Sequence, residues 1–113
     1  MLSKDKRLNL KKDFTWVAAG EKSGNKFTRL FFRFGQSRTP RIGIAVSKSV
    51  FKKAVERNRA RRLVSAGFEQ LYENLPVGVN IIVLPKEEIL TMTSEEVAGS
   101  LKNLLQKVKL LKE

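Results

Sequence analysis

Apolar residues recur at helical spacing in residues 9–19, where Leu10, Phe14 and Val17 share a face. Asn9 is suited to cap the start of this helix and Gly20 to stop its end. Residues 21–25 read as a turn. The period then drops to two, and residues 26–35, KFTRLFFRFG, are predicted to form a strand. One face holds Thr28, Leu30, Phe32 and Phe34 and is expected to enter the core. The other holds Phe27, Arg29, Phe31 and Arg33 and is aromatic and basic by turns. Residues 36–40 are expected to form a hairpin loop into a second strand, RIGIAVSK at 41–48, with Ile42, Ile44 and Val46 inward. Gly43, Ala45 and Ser47 would leave its outer surface low and open to a ligand backbone.

Residues 53–74 return to helical spacing, with Ala60, Leu63, Val64, Gly67 and Leu71 on one side and Asn58, Arg61, Arg62 and Ser65 on the other. Pro76 and Gly78 end that element. Residues 79–84, VNIIVL, are apolar on both faces, as a strand buried inside a sheet should be, and Pro85 closes it. Thr93 and Glu96 have capping-box spacing ahead of Val97, Leu101, Leu104, Leu105, Val108 and Leu111, an amphipathic helix suited to cover a sheet face. The order helix, strand, strand, helix, strand, helix predicts one α+β domain over residues 1–113, a two-layer sandwich of three helices on a small mixed sheet.

Charge changes this picture from a fold to a binding protein. The chain carries 23 Lys and Arg against 11 Asp and Glu, a net charge of +12. Of these, residues 1–65 hold 18 basic and 4 acidic side chains, and residues 66–113 hold 5 and 7. So segregated a surplus suits a polyanion, nucleic acid first, and places its contacts in the first two-thirds. The sequence has no Cys and no His, which removes disulfides, thiolate zinc sites and the commonest general base. Only Asp5 and Asp13 are aspartates, and most Glu residues lie in the last third, so a carboxylate cluster for two metal ions beside bound nucleic acid is hard to assemble. The first residues lack the apolar region of a signal peptide, and no apolar run is long enough to span a membrane. A cytoplasmic protein without a membrane partner is expected.

Three groups of residues carry candidate chemistry. Arg57, Arg59, Arg61 and Arg62 crowd around Asn58 at the start of the long helix; phosphates would relieve their mutual repulsion, and a solvated basic helix face is the alternative. Phe27 and Phe31 could stack on unpaired bases with Arg29 and Arg33 on the backbone, or both rings could lie buried beneath a helix. Ser47 and Lys48, continuing to Lys52 and Lys53, would add donors at the end of the second strand.

The run RIGIAVSKSVFKKAVERNRARRLV, residues 41–64, resembles the signature of the bacterial ribonuclease P protein subunit, in which an Arg-Ile/Phe-Gly-Ile strand leads to Ser-Lys and then to an Arg-Asn-Arg motif. Weaker similarity extends to KKDF at 11–14, to VNIIVLP at 79–85 and to the Leu-rich last helix, so it covers nearly the whole chain. The resemblance implies a subunit of a ribonucleoprotein endoribonuclease that joins a catalytic RNA and helps remove the 5′ leader of precursor tRNA, with no catalytic residue in the protein. It implies no cofactor bound by the protein alone, Mg2+ held mainly by RNA in the holoenzyme, and no obligatory protein partner. Contact with the catalytic RNA would fall on Lys53, Arg57, Asn58, Arg59, Arg61 and Arg62. The candidates for a leader-binding cleft or its floor are Phe14, Trp16, Phe27, Arg29, Phe31, Arg33, Ser47 and Lys48. A left-handed crossover between the second strand and the long helix is a further implication. The chain departs from the family pattern at Ala18, where a second aromatic is usual, with Trp16 on a different side of the helix. It departs again at Ser65, where an Arg often stands, and at Gly67, in place of a better helix former. A ribosomal protein or RNA chaperone, and a metal-dependent nuclease, are the competing classes.

Overall fold

A strand that is apolar on both faces has to be covered twice, and this requirement organises the molecule. In a computed structural model describing residues 2–112, Val79–Pro85 lies inside a four-stranded sheet with Ile81, Ile82 and Val83 fully buried. Each such side chain contributes roughly 1.5–3 kcal/mol through removal from water. In chain order the elements are α1 (Leu10–Ala18), β1 (Glu21–Gly24), β2 (Thr28–Phe34), β3 (Arg41–Ile44), α2 (Ala54–Leu71), β4 (Val79–Pro85) and α3 (Ser94–Lys107). Short 3-10 segments occupy Lys4–Lys6, Tyr72–Asn74 and Glu87–Thr91. The predicted class, α+β with three helices on a small mixed sheet, is the one observed.

The strand order is β1-β2-β4-β3. β2 runs antiparallel to β4 with Phe31 opposite Ile82, and β3 runs parallel to β4 with Gly43 opposite the same residue. Because β4 separates β2 from β3, residues 36–40 are not the hairpin loop that sequence adjacency suggested. The hairpin instead joins β1 to β2, which corrects the reading of residues 21–25 as a turn alone. EKSG carries no apolar alternation that could have revealed a strand. It pairs because Asn25 forms the turn, its Oδ1 accepting from the backbone N–H groups of Phe27 at 2.9 Å and Thr28 at 3.0 Å.

On one face of the sheet, Leu30, Phe32, Ile42, Ile81 and Val83 meet Ala60, Leu63, Val64 and Phe68 of α2 and Val97, Leu101 and Leu105 of α3. On the other, Ile82 packs with Leu8 and Val17, and Phe14, Phe31, Ala45 and Leu84 are partly buried around them, so α1 covers this side. Both caps read from sequence form. Asn9 Oδ1 accepts from the Lys12 N–H at 3.3 Å, while Thr93 and Glu96 exchange bonds of 3.2 and 2.9 Å.

Four side-chain placements differ from the sequence pattern. Phe34, expected in the core, is 53% exposed at the last position of β2, although Val79 opposite it is fully buried. Phe27 precedes the regular strand and packs against the main core rather than sharing the face of Phe31. Gly43 and Ser65 are buried, since residues 2–8 run along the free edge of β3. Arg7 bridges Ile42 in parallel, and the Leu8 N–H donates to the Ile42 carbonyl at 3.0 Å. A Cβ on Gly43 would lie 2.6 Å from Leu10 Cδ2 and 3.3 Å from Leu8 Cβ, so the open surface expected there is filled. Ser65, 2% exposed, lies in the crevice shared by Leu2, Leu8 and Arg61.

Gly67 and Gly99 separate packing from propensity. A Cβ on Gly67 would sit 2.8 Å from Leu101 Cδ1 and 3.4 Å from Ala98 Cα, whereas one on Gly99 meets nothing within 4 Å. Gly67→Val should therefore destabilise by about 1–3 kcal/mol through overpacking of the α2–α3 crossing. Gly99→Ala should stabilise by about 0.5–1 kcal/mol. Urea unfolding midpoints check both signs.

Candidate nucleic-acid interface

The basic motif lies at the start of α2, where Lys53 is the N-cap residue and its N–H donates to Glu56 Oε1 at 3.4 Å. At about 100° per residue, Arg57 and Arg61 share one flank of the helix and Arg59 is turned about 160° away from Arg57. Sequence crowding thus becomes a fan. Arg57 Nη1 donates to the carbonyls of Phe51 at 2.8 Å and Lys52 at 3.2 Å, tying the helix to the loop before it. Arg61 Nη1 donates to Asn58 Oδ1 at 3.1 Å and lines the crevice beside the N-terminal segment. Arg59 Nε reaches the Leu90 carbonyl at 3.4 Å, on the 3-10 segment that also carries Glu87 and Glu88. Arg62 and Asn58 are exposed between these flanks, and Lys53 is exposed at the N-cap. The hydrogen bonds of Arg57, Arg59 and Arg61 go to neutral oxygens, which position the guanidinium groups without cancelling their charge.

The second part is the sheet face beneath α1. Strand pairing puts Lys22, Phe31, Ile82 and Gly43 in one row and Arg29 and Leu84 in another, all on this face. α1 presses Val17 and Leu10 onto it and leaves Phe14, Phe31, Ala45 and Leu84 partly accessible along one flank. The Arg29 guanidinium stands 5.9 Å from the Phe31 ring centroid. The result is an aromatic and aliphatic floor with cations at its margins, the arrangement that binds unpaired bases by stacking and their phosphates by charge. Ser47 and Lys48 are exposed just beyond β3. The Ser47 carbonyl accepts from the Val50 and Phe51 N–H groups at 3.2 and 2.9 Å, and fully buried Phe51 anchors that loop.

Because β3 and β4 are parallel, this loop, the exposed end of the floor and the start of α2 all gather at the carboxyl end of these strands. Phe14, Arg29, Phe31, Ser47 and Lys48 are brought to that region. Phe27 is not, being turned toward Met92 and Glu96 at the α3 layer. Trp16 and Arg33 are also apart, on the other flank of α1 at the opposite end of the sheet, where the ring meets Gly35. Lys22 and Arg41 join the basic face although neither is among the candidate site residues read from the sequence. Lys22 sits in a strand with no apolar signal, and Arg41 enters only through its register with Asn80 and Arg33. Among the described residues, no three His, Cys, Asp or Glu side chains form a group able to hold a metal ion. Among them, too, no helix is long and apolar enough to cross a membrane.

The model of the family described as Ribonuclease P matches residues 2–109. A protein named ribonuclease P protein component from Pseudanabaena sp. (strain PCC 6903) is 38% identical, the match covering 98% of this chain and 97% of that protein. One of the same name from Shouchella clausii is 31% identical over 97% of this chain and 91% of its own. Among solved structures, the RNase P protein from Thermotoga maritima superposes with a TM-score of 0.80 at 28% identity, covering 91% of this chain and 97% of that one. An RNase P protein structure from Staphylococcus aureus reaches 0.85 at 24% identity, a likeness of fold.

The two kinds of arginine should separate in stability. Arg57→Ala loses the 2.8 Å bond to the Phe51 carbonyl and should cost about 1 kcal/mol. Arg62→Ala, an exposed substitution, should stay within about 0.5 kcal/mol of the parent. Thermal unfolding of the two variants side by side checks the difference.

Proposed function

This chain belongs to the ribonuclease P protein family, the protein component of a tRNA-processing ribonucleoprotein, and on that premise we propose that it binds the catalytic RNA through the start of α2 and the single-stranded 5′ leader of precursor tRNA on the sheet face beside α1. The observation that carries this reading is the continuity of the two surfaces. A strand stacked on Phe31 and Phe14, with phosphates on Arg29 and Lys22, leads past Lys48 toward Lys53, Arg57, Asn58, Arg61 and Arg62. Arg59 extends the same basic end on the far flank of α2.

The protein's share of the work is electrostatic and positional. Its cations lower the repulsion between two RNAs and hold the leader, which favours precursor over mature tRNA. Among the described residues no group of three or more His, Cys, Asp or Glu side chains is arranged to hold a metal ion. In this reading Mg2+ stays on the RNA, which performs the hydrolysis in the cytoplasm.

The test is cleavage of a 5′-leader precursor tRNA at low Mg2+ with the protein alone, bacterial catalytic RNA alone, and both. Efficient cleavage by the mixture only is expected. Cleavage by protein alone would overturn the assignment of chemistry to RNA, and no gain on mixing would favour an RNA chaperone. Binding to the catalytic RNA should weaken steeply with salt, and Arg62→Ala should lower the slope of log K against log salt by about 1 while the melting curve is kept. Filter binding at several KCl concentrations measures it.

A further inference from the structure

α1 divides the basic face of the sheet, and the part it cuts off has its own aromatic group. Trp16, the protein's single tryptophan, is 39% exposed on the flank of α1 facing away from Phe14. The Arg33 guanidinium carbon lies 4.5 Å from the centroid of its ring, and Arg33 Nη1 donates to the Trp16 carbonyl at 3.1 Å. The ring edge rests on Gly35, where a Cβ would come 3.1 Å from Cη2. Both members of the pair are thus fixed before any ligand arrives, which removes much of the ordering cost of binding.

Register supplies a second cation. Arg33, Asn80 and Arg41 stand opposite one another across β2, β4 and β3, so exposed Arg33 and Arg41 flank buried Asn80 on the same sheet face. Two strand spacings separate them by roughly 10 Å. From Asn80 to Leu84 along β4 is roughly 13 Å, so this group lies at the far end of the sheet from the exposed end of the floor, where Arg29 and Leu84 pair. An indole already stacked with a guanidinium offers a broad flat surface for a base, and Arg41 is placed to meet an adjoining phosphate.

We infer that Trp16, Arg33 and Arg41 form a second RNA-contact site, outside the leader-binding floor, that stacks one unpaired base and holds a neighbouring phosphate. The inference rests on the RNA-binding reading above. The unpaired base can come from a leader long enough to pass α1 or from a bulge or loop of the catalytic RNA, and the two sources share this chemistry.

The test follows Trp16 emission of the full-length protein while the anisotropy of labelled RNA reports binding. One arm uses an unstructured oligoribonucleotide as leader, the other bacterial ribonuclease P RNA. We expect a saturable change in Trp16 emission that tracks anisotropy in one arm, and that arm names the source. In it, Trp16→Ala should raise Kd roughly five- to tenfold, Trp16→Phe should recover most of the loss, and Arg41→Ala should raise Kd roughly threefold. Trp16 emission should still respond in Phe31→Ala, whose lesion is on the floor. RNA that binds by anisotropy with no change in Trp16 emission in either arm overturns this inference alone, as does a well-folded Trp16→Ala variant that binds as tightly as the parent. No binding in either arm overturns the RNA-subunit reading as well. Should Trp16→Ala fail to fold, the emission of the parent protein and the Arg41→Ala affinity still decide.

Discussion

β4 is buried on both faces and bonded on both edges, and the remaining elements are arranged around satisfying it. Its backbone pairs with antiparallel β2 on one side and parallel β3 on the other. A parallel neighbour cannot be reached by a tight turn, so the chain between β3 and β4 has to cross over, and α2 is that crossover. Its apolar side then closes the core above Ile81 and Val83, and its N-terminus is left at the carboxyl end of the parallel pair. The arginines of the motif are where they are because β4 needs a parallel partner.

The second face of β4 has a different consequence. Ile82 is covered by the short α1, nine residues long, which cannot roof a four-stranded sheet. What it leaves uncovered on either flank is where the aromatic and basic residues of β2 emerge, Arg29 and Phe31 on one side and Arg33 on the other. A helix of modest length thus makes two surfaces out of one strand face. Leu8 and Leu10 close the third opening, over Gly43, and the N-terminal segment covers the outer edge of β3 that would otherwise invite another strand.

Electrostatically the interface is an unfinished structure. Arg57, Arg59 and Arg61 are held by carbonyl and amide oxygens, which constrain their geometry without cancelling their charge. This differs from a solvated basic helix, whose side chains would be free to spread. It also differs from a core of buried ion pairs, whose charge would already be cancelled.

Much of this was determined by the sequence itself. The alternation of KFTRLFFRFG, the two-sided apolarity of VNIIVLP, the caps at Asn9 and Thr93 and the one-sided charge are local properties, decided by residues within a few positions of one another. So were the α+β class and the Arg-rich helix start, and the family signature spans residues continuous in the chain. The tertiary structure decided what depends on distant partners. Inserting β4 between β2 and β3 removed the expected hairpin. The N-terminal segment buried Gly43 and Ser65, and the short reach of α1 left openings on both its flanks, where Phe14 and Trp16 emerge. Local pattern fixes which side chains are apolar and which are charged, but the neighbour that covers each one is chosen by packing across the sheet, between residues tens of positions apart.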